Sequence, residues 1–223
     1  MRTIKISTSI LALTLLIGSA TLNGTPRNPV KKATTKAVAA TTLEADPAAS
    51  TINWTAKKVG GQHTGTVKLS KGSLQVNGKK LVGGTFVMDM TTITDVDITN
   101  EEFNKKLTGH LKSEDFFSVE KNPTSTFKIT KAAPIASTKA GEPNYTITGD
   151  LTIKGITNPV TFPATVKVDG ANAEALAKVE IDRIKYDIKF RSSMLGTAAD
   201  KIIDDIFVMD IKLVAGKTKT AKL

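Results

Sequence analysis

Alternation of apolar and polar residues governs most of this chain and restricts its fold class more than any other feature. The segment 145–153 (YTITGDLTI) alternates throughout, and the runs 52–56, 86–90, 160–168 and 207–213 follow the same period. A period of two places one face of a strand in the core and the other in water. Glycine- and asparagine-containing connections such as VNGKK and KGITNP are short enough for hairpins. Eight or nine such runs predict an all-β antiparallel meander, either a barrel or a sandwich.

A closed meander of about eight strands has an interior that is either filled by side chains or just wide enough for one ligand. The inward faces mix large residues, such as Phe86, Phe162 and Phe207, with small ones, such as Ala56 and Gly149. This mixture of volumes is compatible with both a filled and a hollow interior.

One segment, 99–117 (TNEEFNKKLTGHLKSEDFF), breaks the period of two and predicts a short helical insertion. Its apolar stripe recurs every four residues and consists of Phe103, Leu107 and Leu111. We expect Thr99 or Asn100 to cap the start of the helix. We also expect Gly109 to interrupt it and Ser113 to cap a second short turn.

The chain ends predict export and a single domain. Residues 1–20 combine a positive start, the apolar run ILALTLLI and small residues before a cleavage point, which is typical of a secretory signal peptide. Residues 21–48 are rich in Ala, Thr and Pro and predict a flexible linker. Residues 49–215 are long enough for one β-barrel domain, and 216–223 predict a basic disordered tail. We therefore expect a periplasmic or secreted protein with no membrane span after cleavage.

The net charge of +10 does not indicate a nucleic-acid partner, because much of it lies outside the predicted domain. Residues 49–215 hold 22 basic and 19 acidic residues, a nearly balanced set. Charge concentrated at chain ends is more typical of solubility or surface adhesion than of a phosphate-binding groove. The chain has no cysteine, so its stability depends on a packed core and not on disulfides.

Two sequence blocks resemble the YceI-like family of secreted, lipocalin-like barrels. They are GHLKSEDFFSVEKNPTSTFKIT (109–130) and YTITGDLTIKGITNPVTF (145–162), followed by a late segment containing IDRIKYDI. The resemblance covers about residues 50–215. Trp54 and Lys58 stand where that family usually carries a phenylalanine and a histidine on its first strand.

The resemblance implies a non-catalytic protein that holds a polyisoprenoid lipid or quinone in an apolar barrel and needs no other cofactor or metal. It is also compatible with a homodimer. The alternative is a structural or stress-response interaction protein with a filled barrel. The residues expected to contact the ligand are Trp54, Phe86, Met88, Met90, Phe103, Leu107, Leu111, Phe116, Phe117, Phe127, Ile147, Leu151, Phe162, Ile181, Phe207 and Met209. Leu111, Phe116 and Phe117 are expected to close or line one end of the barrel.

Candidate chemistry is sparse, and each polar cluster has a structural interpretation beside a functional one. His110 and Glu114 are four residues apart on the predicted helix, a spacing suited either to a metal or to a hydrogen bond on the helix surface. His63, between glycines, is expected at a turn, at a strand edge or at the barrel mouth. Arg183 with its neighbouring aspartates predicts a structural ion pair or a contact with a ligand head group.

Overall fold

The computed structural model describes residues 40–136 and 138–217. These residues form nine antiparallel strands and one α-helix, together with short 3₁₀ helices. The elements are β1 (Thr41–Ala45), β2 (Thr51–Lys58), β3 (Gly61–Asn77), β4 (Lys80–Asp95), α1 (Glu101–Lys112), β5 (Thr124–Pro134), β6 (Tyr145–Ile153), β7 (Ile156–Asp169), β8 (Asn172–Asp182) and β9 (Ile203–Gly216). Three short 3₁₀ helices connect β8 to β9, at Arg183–Tyr186, Ser193–Leu195 and Ala199–Lys201. Over these residues, no helix has the length and apolar character required to cross a membrane.

The sheet closes on itself. Each strand from β2 to β9 pairs with the next one along the chain, and β2 also pairs with β9. The short strand β1 lies between β3 and β9, as β2 does, but pairs with their opposite ends. The closed structure is therefore an eight-stranded antiparallel barrel in which β1 and β2 together fill one strand position. The predicted barrel is confirmed, and the alternative of a sandwich is wrong.

Strand β1 lies in a segment that the sequence predicts to be a flexible linker. Leu43 pairs with Leu74 of β3 and is fully buried, so Thr41–Ala45 belongs to the sheet and the linker prediction is wrong for this strand. The strand offers only two apolar positions, which is too short a pattern to show a period of two. The predicted signal peptide, residues 21–39 of the predicted linker and residues 218–223 of the predicted tail lie outside the described residues.

The two ends of the barrel are built differently. At the lower end, defined by the turn between β3 and β4, the buried side chains of Leu43, Leu74, Val76 and Tyr145 pack together as part of one core cluster. The Tyr145 hydroxyl accepts a hydrogen bond from the backbone N–H of Leu81 at 3.2 Å. The upper end is covered by α1 and the irregular segments 113–123 and 183–202. The lower end is thus plugged by buried side chains, whereas irregular segments lie over the upper end.

Helix α1 is longer than the sequence predicts. Asn100 caps it as expected, because its Oδ1 accepts a hydrogen bond from a backbone N–H three residues on at 3.0 Å. The predicted interruption at Gly109 is wrong, since the helix continues to residue 112. A glycine inside a helix lowers the stability of the helix by about 1 kcal/mol. Burial of a leucine side chain such as Leu111 contributes more than this amount, so the helix continues through Gly109. Ser113 ends α1, and its hydroxyl donates to the His110 carbonyl at 2.8 Å. A short turn follows it as predicted, since the Ser113 carbonyl accepts a hydrogen bond from the Phe116 N–H at 3.2 Å.

Candidate functional site

An apolar cavity occupies the barrel interior. The centres of water-sized molecules can occupy about 200 Å³ of it, and its walls are apolar except for Ser125, Arg183 and Asp204. The Ser125 hydroxyl is directed at the sulfur of Met90, at 3.2 Å. The hydrogen-bonding groups of Arg183 are engaged by the protein itself, as described below. The alternative of a filled barrel is contradicted by this cavity, which offers an occupant apolar contacts and few polar ones.

The predicted ligand-contacting residues lie on the cavity wall, with the exceptions of Phe103 and Leu107. Several of them, including Met88, Phe127, Phe162 and Phe207, face inward and yet are only partly buried, because the interior is not filled. Trp54, on β2, also lines the cavity. Contact between these residues and a ligand stays a prediction.

The placement of Phe103 at the interior is wrong. Its side chain is 58% exposed, and the Lys106 ammonium lies 5.5 Å from the centre of its ring. Leu107 packs against the core without reaching the cavity. Residues spaced by four advance about 40° around a helix with 3.6 residues per turn, so the stripe rotates towards the barrel only at its Leu111 end.

A lid segment, residues 111–123, covers the upper end of the cavity. Leu111, Phe116 and Phe117 all line the cavity, which confirms the predicted inward orientation of this stretch. The Phe117 ring meets that of Phe207, on β9, edge to face, with ring centres 6.4 Å apart. The lid also accepts a hydrogen bond at the Pro123 carbonyl from the Met90 N–H of β4 at 2.9 Å. Its residues that line the cavity are all apolar.

His110 belongs to an aromatic cluster beside the lid and not to a metal site with Glu114. Its ring lies edge to face against Phe116 at 4.9 Å and against Phe190 at 4.6 Å. Its Nε2 lies 3.0 Å from a carboxylate oxygen of Asp115. Glu114 instead pairs with Lys121, whose ammonium lowers the pKa of the Glu114 carboxyl. The spacing of four between His110 and Glu114 therefore has no consequence for metal binding in this fold.

Two aromatic wall residues are positioned by glycines that leave room for their rings. A Cβ on Gly149 would lie 2.4 Å from the Phe127 ring, and one on Gly65 would lie 2.5 Å from the Trp54 ring. The Trp54 indole N–H donates to the carbonyl of Thr94 at 3.1 Å. These glycines let flat rings cover the strand backbone.

Arg183 fastens the irregular segment that connects β8 to β9. Its side chain is 4% exposed and pairs with Asp205 at 2.9 Å. Its remaining N–H groups donate to four backbone carbonyls, those of Ile188, Phe190, Ile203 and Asp204. Burial lowers the pKa of the guanidinium, and the nearby carboxylate of Asp205 opposes that effect. The ion-pair interpretation is right for Arg183, but the partner is on β9 and not among the adjacent aspartates.

Some wall residues were missed by sequence reasoning. Ala175, Ala177 and Val179 line the cavity from β8, and the alternation in NAEALAKVEID carries the signal that would have identified them. Ile188 and Ile203 also line it. Ile188 lies in the irregular segment 183–202, where no periodicity exists to reveal its orientation.

We expect the protein to lose stability at alkaline pH because of the buried phenol of Tyr186. Its hydroxyl is buried without a hydrogen-bond partner in the described part of the chain, and burial, with the charge of Asp182, raises its pKa to about 12 from an ordinary 10.0. The raised pKa means that the stabilisation by the neutral phenol is complete below about pH 10 and is lost as the pH rises towards 12. Relative to Tyr186→Phe, the wild type should lose about 2–3 kcal/mol of unfolding free energy over that range, measured by denaturant titration at each pH.

Titration of tyrosine absorbance against pH provides the control for this prediction. The chain has two tyrosines, so absorbance should show one ionisation near pH 12 in the folded wild type that is missing in Tyr186→Phe. A difference in stability between the two proteins that stays constant with pH would contradict the prediction.

Sequence comparisons find relatives over parts of this chain. A UPF0312 protein from Pseudomonas aeruginosa (strain LESB58) is 44% identical over 69 residues, which are 31% of this chain and 31% of that protein. Protein YceI from Escherichia coli O157:H7 is 35% identical over 105 residues, which are 43% of this chain and 50% of that protein. The chain thus spans 31% to 50% of the length of these curated relatives.

Comparison with solved structures finds the same barrel. BcnA from Burkholderia cenocepacia matches with a TM-score of 0.58 and 25% identity, covering 77% of this chain and 99% of that one. A polyisoprenoid binding domain from Saccharophagus degradans matches with a TM-score of 0.56 and 14% identity, covering 78% and 97%. At 14% identity, this match shows that the two proteins share a fold. The YceI-like domain model matches residues 43–215, nearly the whole barrel, and this chain therefore belongs to the YceI-like family.

Proposed function

We propose that this chain is a non-catalytic carrier that holds the apolar tail of an isoprenoid-type lipid or quinone in its barrel. The observation that carries the proposal is a cavity with almost entirely apolar walls, plugged at its lower end and covered by an aromatic lid at the other. The S. degradans neighbour, described as a polyisoprenoid binding domain, supports the ligand class. Family membership supports the same assignment.

The energetics favour a chain-like ligand. Each buried CH₂ contributes roughly 0.8 kcal/mol, so a five-carbon isoprene unit contributes roughly 4 kcal/mol. Association costs on the order of 4–15 kcal/mol, so a few units are needed before binding becomes tight. Met88, Met90 and Met209 line the cavity and adapt their shape readily, which suits a methyl-branched tail. With Arg183 already satisfied, a head group gains little inside and is expected to remain near the lid.

The proposal includes the location of the protein. The features of residues 1–20 support export to a periplasm or to the medium. In these aqueous compartments the apolar tail of a lipid must be bound by a protein to be kept out of water. Dimerisation stays a prediction from the family resemblance.

Lipid extraction tests the proposal. The chain, produced in a bacterium and purified without detergent, should carry an isoprenoid-type lipid or quinone detectable by mass spectrometry of an organic extract. Added decylubiquinone should quench the fluorescence of Trp54, the only tryptophan, because that side chain lines the cavity. Recovery of phospholipid alone would contradict the ligand class. An empty protein whose fluorescence does not respond to decylubiquinone would contradict lipid carriage.

A further inference from the structure

Three potential metal ligands meet on the barrel wall near the upper end, away from the cavity. His63 lies on β3, Asp95 ends β4, and Asp97 follows in the segment before α1. The His63 Nδ1 lies 3.0 Å from a carboxylate oxygen of Asp97 and 3.9 Å from Oδ2 of Asp95. One donor atom from each residue lies within 4.8 Å of the others.

An unsatisfied carboxylate oxygen points into this cluster. The Asp95 side chain is 0% exposed, and its Oδ2 is buried with no hydrogen-bond partner in the described residues, facing His63. Leaving a buried charged acceptor unsatisfied is costly. A cation between the three side chains would remove that cost.

We propose that His63, Asp95 and Asp97 bind a divalent transition-metal ion of the Zn²⁺ type. One imidazole nitrogen with two carboxylate oxygens is a ligand set that zinc accepts, whereas Mg²⁺ and Ca²⁺ prefer oxygen ligands alone. Bond lengths near 2.0–2.2 Å place neighbouring tetrahedral ligands about 3.3–3.6 Å apart. The observed separations from His63, 3.0 and 3.9 Å, lie on either side of that value.

Outer hydrogen bonds already hold both carboxylates in place. Oδ1 of Asp95 accepts from the backbone N–H of Ile98 at 2.9 Å and from the amide of Asn104 at 3.2 Å. Oδ1 of Asp97 accepts from the backbone N–H of Thr64 at 2.6 Å. Each aspartate thus uses one oxygen for orientation and turns the other towards His63, the arrangement by which outer partners orient metal ligands.

The bound ion would tie together the start of β3, the end of β4 and the segment leading into α1. Asn104 links the site to the helix, and Thr94, beside Asp95, accepts the hydrogen bond of Trp54 on the cavity wall. The site therefore lies at the upper rim of the barrel, and none of its three ligands is among the residues that line the cavity.

Zinc titration of the two histidine variants tests the site. The probe is Zn²⁺ added to the chain without a histidine tag, followed by calorimetry, and the expected result is one ion bound per chain with a raised melting temperature. His63→Gln should weaken binding on the order of tenfold or more. His110→Gln is the matched control, since His110 also faces an aspartate at 3.0 Å but belongs to no group of three ligands in the described residues. The chain contains two histidines and no cysteine, so the pair of variants accounts for every imidazole and thiol.

Asp97→Asn provides a second variant should His63→Gln fold poorly, which circular dichroism without zinc would show. It should also weaken zinc binding on the order of tenfold or more. Equal affinity of the wild type, Asp97→Asn and His63→Gln for zinc would overturn the proposal. So would an equal loss in His110→Gln, or binding of Mg²⁺ as tight as that of Zn²⁺.

Discussion

Replacing Arg183 by methionine is expected to lower the free energy of unfolding by about 3–5 kcal/mol, because it leaves a partly buried carboxylate and several carbonyls without their donor. Asp205 keeps its charge while it loses its partner at 2.9 Å. Arg183→Lys should also be destabilised, since an ammonium cannot reach carbonyls on both sides as the guanidinium fork does. Denaturant unfolding of the variants and the wild type measures the effect.

Lys178→Met is the matched control for this loss of a positive charge. Lys178 pairs with Asp210 on the barrel surface, and both side chains are at least half exposed. An exposed ion pair contributes at most about 1 kcal/mol. Similar losses of stability in Arg183→Met and Lys178→Met would show that the buried network does not hold the connection between β8 and β9.

Filling the cavity is expected to abolish ligand uptake while the barrel stays folded. Ala177 lines the cavity from β8, and Ala177→Phe places a ring where the tail of a lipid is proposed to lie. If the ring excludes only three methylene groups of the ligand, the binding free energy falls by roughly 2.4 kcal/mol. That loss corresponds to a reduction in affinity of more than tenfold. Quenching of Trp54 by decylubiquinone, together with lipid recovered by extraction, measures the loss.

The neighbouring residue supplies the control for added bulk. Leu176 lies on the outer face of the same strand and is 42% exposed, so Leu176→Phe adds a ring to the outer surface of the barrel. This variant should bind decylubiquinone as the wild type does. Unchanged binding in Ala177→Phe would contradict carriage inside the cavity, and equal losses in both variants would point to a general effect on the strand.

Local patterns predicted the parts of this protein that depend on neighbours in sequence. The alternation in 145–153 identified an inward face because side chains of a strand change sides at every residue. The block containing Phe116 and Phe117 indicated a lid because the alternation stops there and an apolar pair follows polar residues. Phe103 was misplaced because a stripe that recurs every four residues turns gradually around the helix.

Contacts between distant residues had no such signal. His63 and Asp97 are separated by 34 positions, and the pairing of β3 with β4 brings them within hydrogen-bonding distance. Arg183 was expected to pair with a nearby aspartate, and its partner proved to be Asp205, 22 residues away. Strand β1 was missed because its two apolar residues become meaningful only beside β3.

The sequence by itself determined that this protein is an antiparallel meander with an apolar inward face and a helical interruption, since residue period and turn chemistry are local properties of the chain. The family resemblance, and not the period, favoured a barrel over a sandwich. Only the tertiary structure decided that the barrel is hollow, that its lower end is plugged, and which polar groups meet. The volume of an interior depends on how side chains from all eight strand positions fit together. No single segment contains that information, because each contributes only one part of the wall.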